Sequence, residues 1–215
     1  MTELTMITLD ILTKAVNIPD FDPAAAYAAL AVPNRPRMPA EGIIPRQAGV
    51  LVLTYPEADG LHVILTQRTS TLRSHSGQIS FPGGRRNPED DSFTAAALRE
   101  TCEELGICEG IKIIGTLSHI YIPPSNFEVF PTVATLAKRP VYYPNPDEVE
   151  SVFTMPLQLL LDPQIKLTED WDFSGTMRPI TYYSVGGHKV WGATAFMLSE
   201  LEARLRLALD MEQSR

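Results

Sequence analysis

An α/β fold, with a mixed β-sheet sandwiched between helices, is predicted by three features of this 215-residue sequence. Two apolar, β-branched runs, GVLVLTY from Gly49 and LHVILT from Leu61, flank the turn segment Pro56-Glu-Ala-Asp-Gly60 and read as a β-hairpin. A segment rich in carboxylates and ending in RETCEELG has helical spacing with helical punctuation at both ends. Further strand-like runs then follow, closed by a last helix, so that strands both flank and surround the helices.

Taken in order, Met1 to about Asn17 and Asp22 to Val32 read as two short helices, the second Ala-rich with Pro23 near its first turn. Residues 33–45 hold four prolines and form a connector. Residues 1–45 are therefore expected to be an N-terminal helical extension, and 46–210 a single globular domain. After the hairpin comes the helix: Asp91 or Ser92 is its N-cap, the acids Glu89 to Asp91 suit its positive end, and Gly106 is its C-terminal stop. Strands follow near 111–121, 127–136 and 149–154, then a short helix after Pro156, a hairpin across 178–191 and a final helix from about 193 to 209.

A hydrophobic share of 44% is ordinary for a globular chain of this length. The formal net charge of -8 argues against general binding to nucleic acid or to an anionic membrane, which broad basic surfaces would attract. No run approaches 18 apolar residues, and MTELTMITLDILTKAV lacks the basic start and unbroken apolar core of a signal peptide, so a cytoplasmic location is expected. Cys102 and Cys108 belong to no Cys-x-x-Cys or Cys/His cluster; both are expected to be reduced, with Cys102 on a buried helix face.

The chemistry concentrates between Leu65 and Gly106. From Leu65 to Asn87 there is no acid, and the arginines there attract anions; from Glu89 onward carboxylates crowd the helix and attract cations. Such a succession suits a protein that holds a phosphate chain against a bound metal. At about 100° per residue, Glu100, Glu103 and Glu104 span an arc of about 100° on one face. Ala96 and Ala97 share that side, while Leu98, Cys102 and Leu105 project from the other, which is expected to pack on the sheet. Three carboxylates this close repel one another unless a cation intervenes, and oxygen-only donors favour Mg²⁺ or Mn²⁺ over zinc. Without further context the same pattern would read as a solvated acidic face. The preceding Phe81-Pro82-Gly83-Gly84 turn, where two glycines let a ligand approach the backbone, changes that balance.

Gly84 followed by Arg99-Glu100-Thr101-Cys102-Glu103-Glu104-Leu105-Gly106-Ile107 resembles the box G-x5-E-x7-R-E-U-x-E-E-x-G-U of the Nudix hydrolase family. Asp91 stands where the first Glu is expected, Thr101 replaces an apolar residue, and six residues separate Gly84 from Asp91. Upstream, Leu65-Thr66-Gln67-Arg68 and Leu72-Arg73-Ser74-His75-Ser76-Gly77-Gln78 running into Phe81-Pro82-Gly83-Gly84 are similar to the added signature of the coenzyme A pyrophosphatases of that family. Later stretches, including Asp147-Glu148-Val149, Met155-Pro156-Leu157 and Val190-Trp191-Gly192-Ala193-Thr194-Ala195, extend the resemblance over about 47–208.

The resemblance implies a Nudix-type α/β/α sandwich and metal-dependent hydrolysis of a diphosphate in a small molecule. Coenzyme A or a derivative is the implied substrate, with adenosine 3′,5′-bisphosphate and 4′-phosphopantetheine as products. Broader nucleoside-diphosphate derivatives such as ADP-ribose or NADH, or a Nudix module that binds without turnover, are the alternatives. Glu100, Glu104 and then Glu103 are the metal-ligand candidates, with Glu100 and Glu103 also candidates for catalysis, and a carbonyl of the Gly83-Gly84 turn is implied to complete the site. In the family the general base moves between box glutamates and a loop acid; Glu148 is the loop candidate here, with Asp147 or Glu150 as substitutes. Arg99 points aside from the metal face and would orient the helix through an ion pair with Asp91 or another acid. Arg68, Arg73, His75 and Gln78 are candidates for substrate binding, joined by Arg85 or Arg86. Tyr121, Phe127 and Trp191 are either core residues or stacking partners for adenine. Dimers are common in the fold, so a homodimer is possible; the residues name no interface.

Overall fold

The computed structural model describes residues 4–30, 36, 38–70, 77–173 and 175–213. The chain begins with α1 (Leu9–Val16) and α2 (Ala24–Ala28), both shorter than the sequence predicts. Thr8 starts the first late, its hydroxyl accepting from Ile11 N as an N-cap. The hairpin of β1 (Arg46–Glu57) and β2 (Gly60–Arg68) forms, with Thr54 opposite Val63, but Glu57 pairs with Gly60, so the longer loop expected over Pro56–Gly60 is a two-residue turn. Two short strands follow, β3 (Ile79–Ser80) and β4 (Gly83–Arg85), then the central helix α3 (Phe93–Leu105). The expected strand near 111–121 is two, β5 (Lys112–Thr116) and β6 (Ile120–Ile122), and β7 (Phe127–Thr135) and β8 (Val149–Pro156) come next.

β1 runs parallel to β7, whereas β2, β5, β6 and β8 pair antiparallel with their neighbours, which makes the sheet mixed as predicted. β4 lies against the first half of β1, with Gly84 opposite Gly49. After β8 the chain makes 3₁₀ turns in place of the expected short helix. A second, three-stranded sheet follows, β9 (Lys166–Phe173), β10 (Thr176–Val185) and β11 (His188–Val190), and then α4 (Gly192–Gln213). β10 and β11 are the predicted hairpin; β9 is not predicted, because its KLTEDWDF sequence is mostly exposed and lacks an apolar face to betray it.

Side chains alternate between two cores, as the two-residue period of a strand requires. Val52, Val63, Leu65 and Val133 face a core shared with α1 and α4, while Leu51, Leu53, Ile64 and Ala134 face one shared with α3. The N-terminal helices are built into the first of these through Ile11, Leu12, Ala15 and Val16. A buried polar knot secures them: Glu200, with 0% exposure, accepts from Tyr27 Oη (2.6 Å), Ser118 N (3.0 Å) and Arg204 Nε (2.9 Å), and Arg204 donates onward to Val16 O (3.0 Å). Removing either charge would strand its partner in the interior, so the knot holds as a unit.

Ser92 is the N-cap of α3, its hydroxyl accepting from Ala95 N at 3.0 Å, and Gly106 ends it with a left-handed φ of 69°. The packing of α3 differs from the sequence expectation. The buried residues are Ala96, Ala97, Thr101, Glu104 and Leu105; Leu98 and Cys102 are only half-buried. The reason lies on β1, where a Cβ on Gly49 would stand 2.1 Å from Phe93 O and 3.0 Å from Ala97 N. Glycine below and alanines above bring helix and strand into backbone contact, so the acidic side of the helix is also a packing side. Cys102 is thereby turned outward, and the chain returning from Gly106 brings Cys108 to it: the two form a disulfide with Cα atoms 4.5 Å apart, not the reduced pair expected.

Candidate active site

Glu104 lies at the centre of the candidate site because α3 points it under the β3–β4 turn. Its side chain is 3% exposed; one carboxylate oxygen accepts from Gly83 N at 3.2 Å and the other is 3.5 Å from Arg68 Nη1. Burial pushes its pKa up to about 7, with Arg68 and the Gly83 amide opposing that shift. One turn earlier, Glu100 lies against Gly84, where a Cβ would come within 2.4 Å of its carboxylate. A side chain at Gly84 would have to displace that carboxylate. Burial raises the Glu100 pKa as well, against the lowering effect of Arg99.

Glu148 reaches the same place from a distant segment. The C-terminal carbonyls of α3 hold that segment, Glu104 O accepting from Asn145 N and Leu105 O from Tyr143 N, each at 2.8 Å. Glu148 O then accepts from Thr69 N at 3.0 Å, just beyond Arg68 at the end of β2. One ligand atom each from Glu100, Glu104 and Glu148 lie within 4.8 Å of one another. Oxygen donors alone, all three from buried or half-buried carboxylates, fit a hard divalent cation, whose charge would offset their mutual repulsion.

Glu103, grouped with these acids in the sequence reading, lies outside that cluster. Its side chain is 53% exposed and pairs with Arg99 Nη1 at 3.1 Å. Arg99 does not turn wholly aside, since Nη1 also donates to Glu100 at 2.9 Å, and its bidentate partner is Asp90 and not Asp91: Nε and Nη2 each donate to the Asp90 carboxylate at 3.0 Å, and Nη2 also donates to Arg85 O. Asp90 is buried, accepts from Asn87 N, and is held below the usual carboxylate range chiefly by Arg99; Asp91 is exposed. The signal was present in the sequence, since five residues after Gly84 lead to Asp90, while seven before Arg99 lead to Asp91. The bidentate ion pair follows the first count.

Gln78 stays close to Arg68 through the backbone, Arg68 N donating to Gln78 O at 3.0 Å. Arg73 and His75 lie outside the described residues. Arg86 donates to Asp90 O, whereas Arg85 is exposed. Of the aromatics, Trp191 packs edge-on against Trp171 at 5.2 Å, Phe127 lies under Arg46, and Tyr121 donates to Asn126. Among the described residues, no helix is long and apolar enough to cross a membrane.

The NUDIX domain family model matches residues 45–176, the span that holds the glycine turn, α3 and Glu148. The chain belongs to the Nudix family. Among Nudix relatives, the Uncharacterized Nudix hydrolase NudL of Citrobacter koseri is 36% identical over 188 residues, covering 80% of this chain and 88% of its own length. Nudix hydrolase 15, mitochondrial, of Arabidopsis thaliana is 34% identical over 161 residues, or 72% of this chain. The matched part spans only 56% of that plant protein, and 53% of Nudix hydrolase 22, chloroplastic, from the same organism. Among solved structures, the Nudix hydrolase RenU of M. smegmatis aligns with a TM-score of 0.52 at 18% identity, over 85% of this chain and 94% of that one, and so shares the Nudix fold.

Proposed function

We propose that this chain hydrolyses the diphosphate of coenzyme A or a close derivative, giving adenosine 3′,5′-bisphosphate and 4′-phosphopantetheine, with Mg²⁺ or Mn²⁺. The convergence of Glu100, Glu104 and Glu148 beside the Gly83-Gly84 turn carries the hydrolytic part of this reading. The stretch from Leu65 to Gly84, with its resemblance to the coenzyme A signature, supports the substrate.

Glu100 and Glu104 would hold the metal beside Glu148, and the ion when bound neutralises phosphate oxygens and lowers the pKa of attacking water. Glu148, carried on a loop and not on the helix, takes the water proton. Arg68 supplies a cationic contact at the mouth of the site, where its guanidinium already faces Glu104. Arg99, clamped by Asp90, fixes the rotation of α3 and with it the aim of Glu100, to which it donates at 2.9 Å. Breaking the clamp should therefore harm catalysis without touching a ligand. Asp90→Asn is expected to lower kcat about 10- to 100-fold, as for other groups that orient metal ligands, and Asp91→Asn to stay within about twofold of wild type. Steady-state rates of the two variants side by side check this.

Chromatography of products tests the reading as a whole, using coenzyme A, dephospho-coenzyme A, ADP-ribose and NADH, each with Mg²⁺, Mn²⁺ or chelator. Metal-dependent release of adenosine 3′,5′-bisphosphate, fastest from coenzyme A, is the expected result. Faster cleavage of ADP-ribose or NADH would overturn the substrate, and absence of any cleavage would overturn the hydrolysis.

A further inference from the structure

Away from the carboxylates, the C-terminal end of α3 borders a groove of about 610 Å³, within the size range of small-ligand sites. Its walls include Ile107, Leu136 and Val141 together with Lys138, Arg139 and Cys108. Cys108 is exposed, whereas its bonded partner Cys102 is half-buried on the helix. Glu109 also lines the groove, which leaves two cationic side chains to one acid. Arg139 is 63% exposed and pairs with Glu57 at 3.3 Å, so its guanidinium remains accessible from solvent.

We propose that this groove docks a small anionic thiol and that Cys108 is the site of its covalent attachment by thiol–disulfide exchange. The bridge spans only six positions, so chain entropy contributes less through it than through a longer loop, and its exposed half, Cys108, lines a groove with cationic side chains. The thiolate of the incoming molecule attacks Cys108 Sγ, forming the mixed disulfide. The bond to Cys102 breaks, and Cys102 leaves as a thiolate that takes up the proton the incoming thiol released. One disulfide is consumed and one is formed, so no oxidant is required. Attack at Cys102 is disfavoured because that sulfur is the less accessible of the two. The adduct would sit between the residues that follow α3 and those that follow β7, both of which line the groove. Two kinds of molecule share the required chemistry, glutathione and coenzyme A. The site is independent of the hydrolytic reading, since it uses neither the metal ligands nor the glycine turn.

The test is intact-mass spectrometry of the full-length, air-oxidised protein after timed exposure to glutathione, coenzyme A or neutral 2-mercaptoethanol, stopped with excess iodoacetamide and mapped by peptide. The chelated protein is used, so hydrolysis does not compete. One thiol moiety on Cys108 and one iodoacetamide group on Cys102 are expected. Comparing wild type with a Lys138→Ala/Arg139→Ala variant cancels the intrinsic reactivity of each thiol. The anionic thiols should lose about fivefold or more in rate on the variant, and 2-mercaptoethanol less than about twofold. Whichever anionic thiol loses more is the one the groove selects. Equal losses for all three thiols would overturn the docking site, an adduct on Cys102 would overturn the assignment to Cys108, and two alkylatable thiols before any addition would overturn the bridge itself.

Discussion

Glu104→Gln is expected to lower turnover about 10³-fold or more while leaving the chain folded, because the substitution keeps the side-chain shape and removes the charge at the centre of the proposed metal site. A second signature separates this loss from simple misfolding. Glu104 carries a folded-state pKa of about 7 against an ordinary value of 4.5, so folding disfavours its charged form. Its contribution to stability in the chelated protein therefore falls as pH rises from about 4.5 through about 7 and is constant above that. The shift corresponds to an upper bound of about 3 kcal/mol. Chelated wild type should unfold more easily at about pH 8 than at about pH 5.5, added Mg²⁺ or Mn²⁺ should restore stability at the higher pH, and Glu104→Gln should show a smaller response of each kind, with Glu100 alone left to titrate. Denaturant titrations across that range, with and without metal, check all three. A variant with wild-type turnover would remove Glu104 from the site.

Gly49→Ala is expected to cost about 3 kcal/mol of stability, the upper part of the range for overpacked positions. Its methyl group would meet Phe93 O at 2.1 Å and Ala97 N at 3.0 Å, which are backbone atoms unable to rotate away. Relief requires lifting the first turns of α3 from β1, which also moves Glu100 away from Gly84. Activity should fall with stability, and saturating metal should not recover it. Urea unfolding with matched far-UV circular dichroism measures the first, and rates at high metal concentration the second.

The limits of α3 and the β1–β2 hairpin were legible because the signals that set them are local. Ser92 and Gly106 act through bonds to residues three or four positions away, and a short segment of turn residues separates two apolar runs. Helical spacing likewise placed Glu100 and Glu104 on a common side. The face that packs was not legible, since hydrophobic periodicity turns Leu98 and Cys102 inward, whereas close approach over Gly49 selects Ala96 and Ala97. β9 escaped notice for a related reason: an exposed strand bears no apolar alternation.

Residue type and spacing thus specified a mixed α/β domain, a glycine turn before an acidic helix, and the oxygen-rich chemistry of that helix. Which acids converge depended on long-range backbone pairing. Glu148 meets Glu100 and Glu104 because Asn145 bonds to the end of α3 and Thr69 bonds to Glu148 itself, contacts that span dozens of residues and leave no periodic trace. Asp90 rather than Asp91 receives Arg99, and Cys108 reaches Cys102, for the same reason: a one-residue offset or a returning loop is settled by where packed backbone brings the side chains, not by their order along the chain.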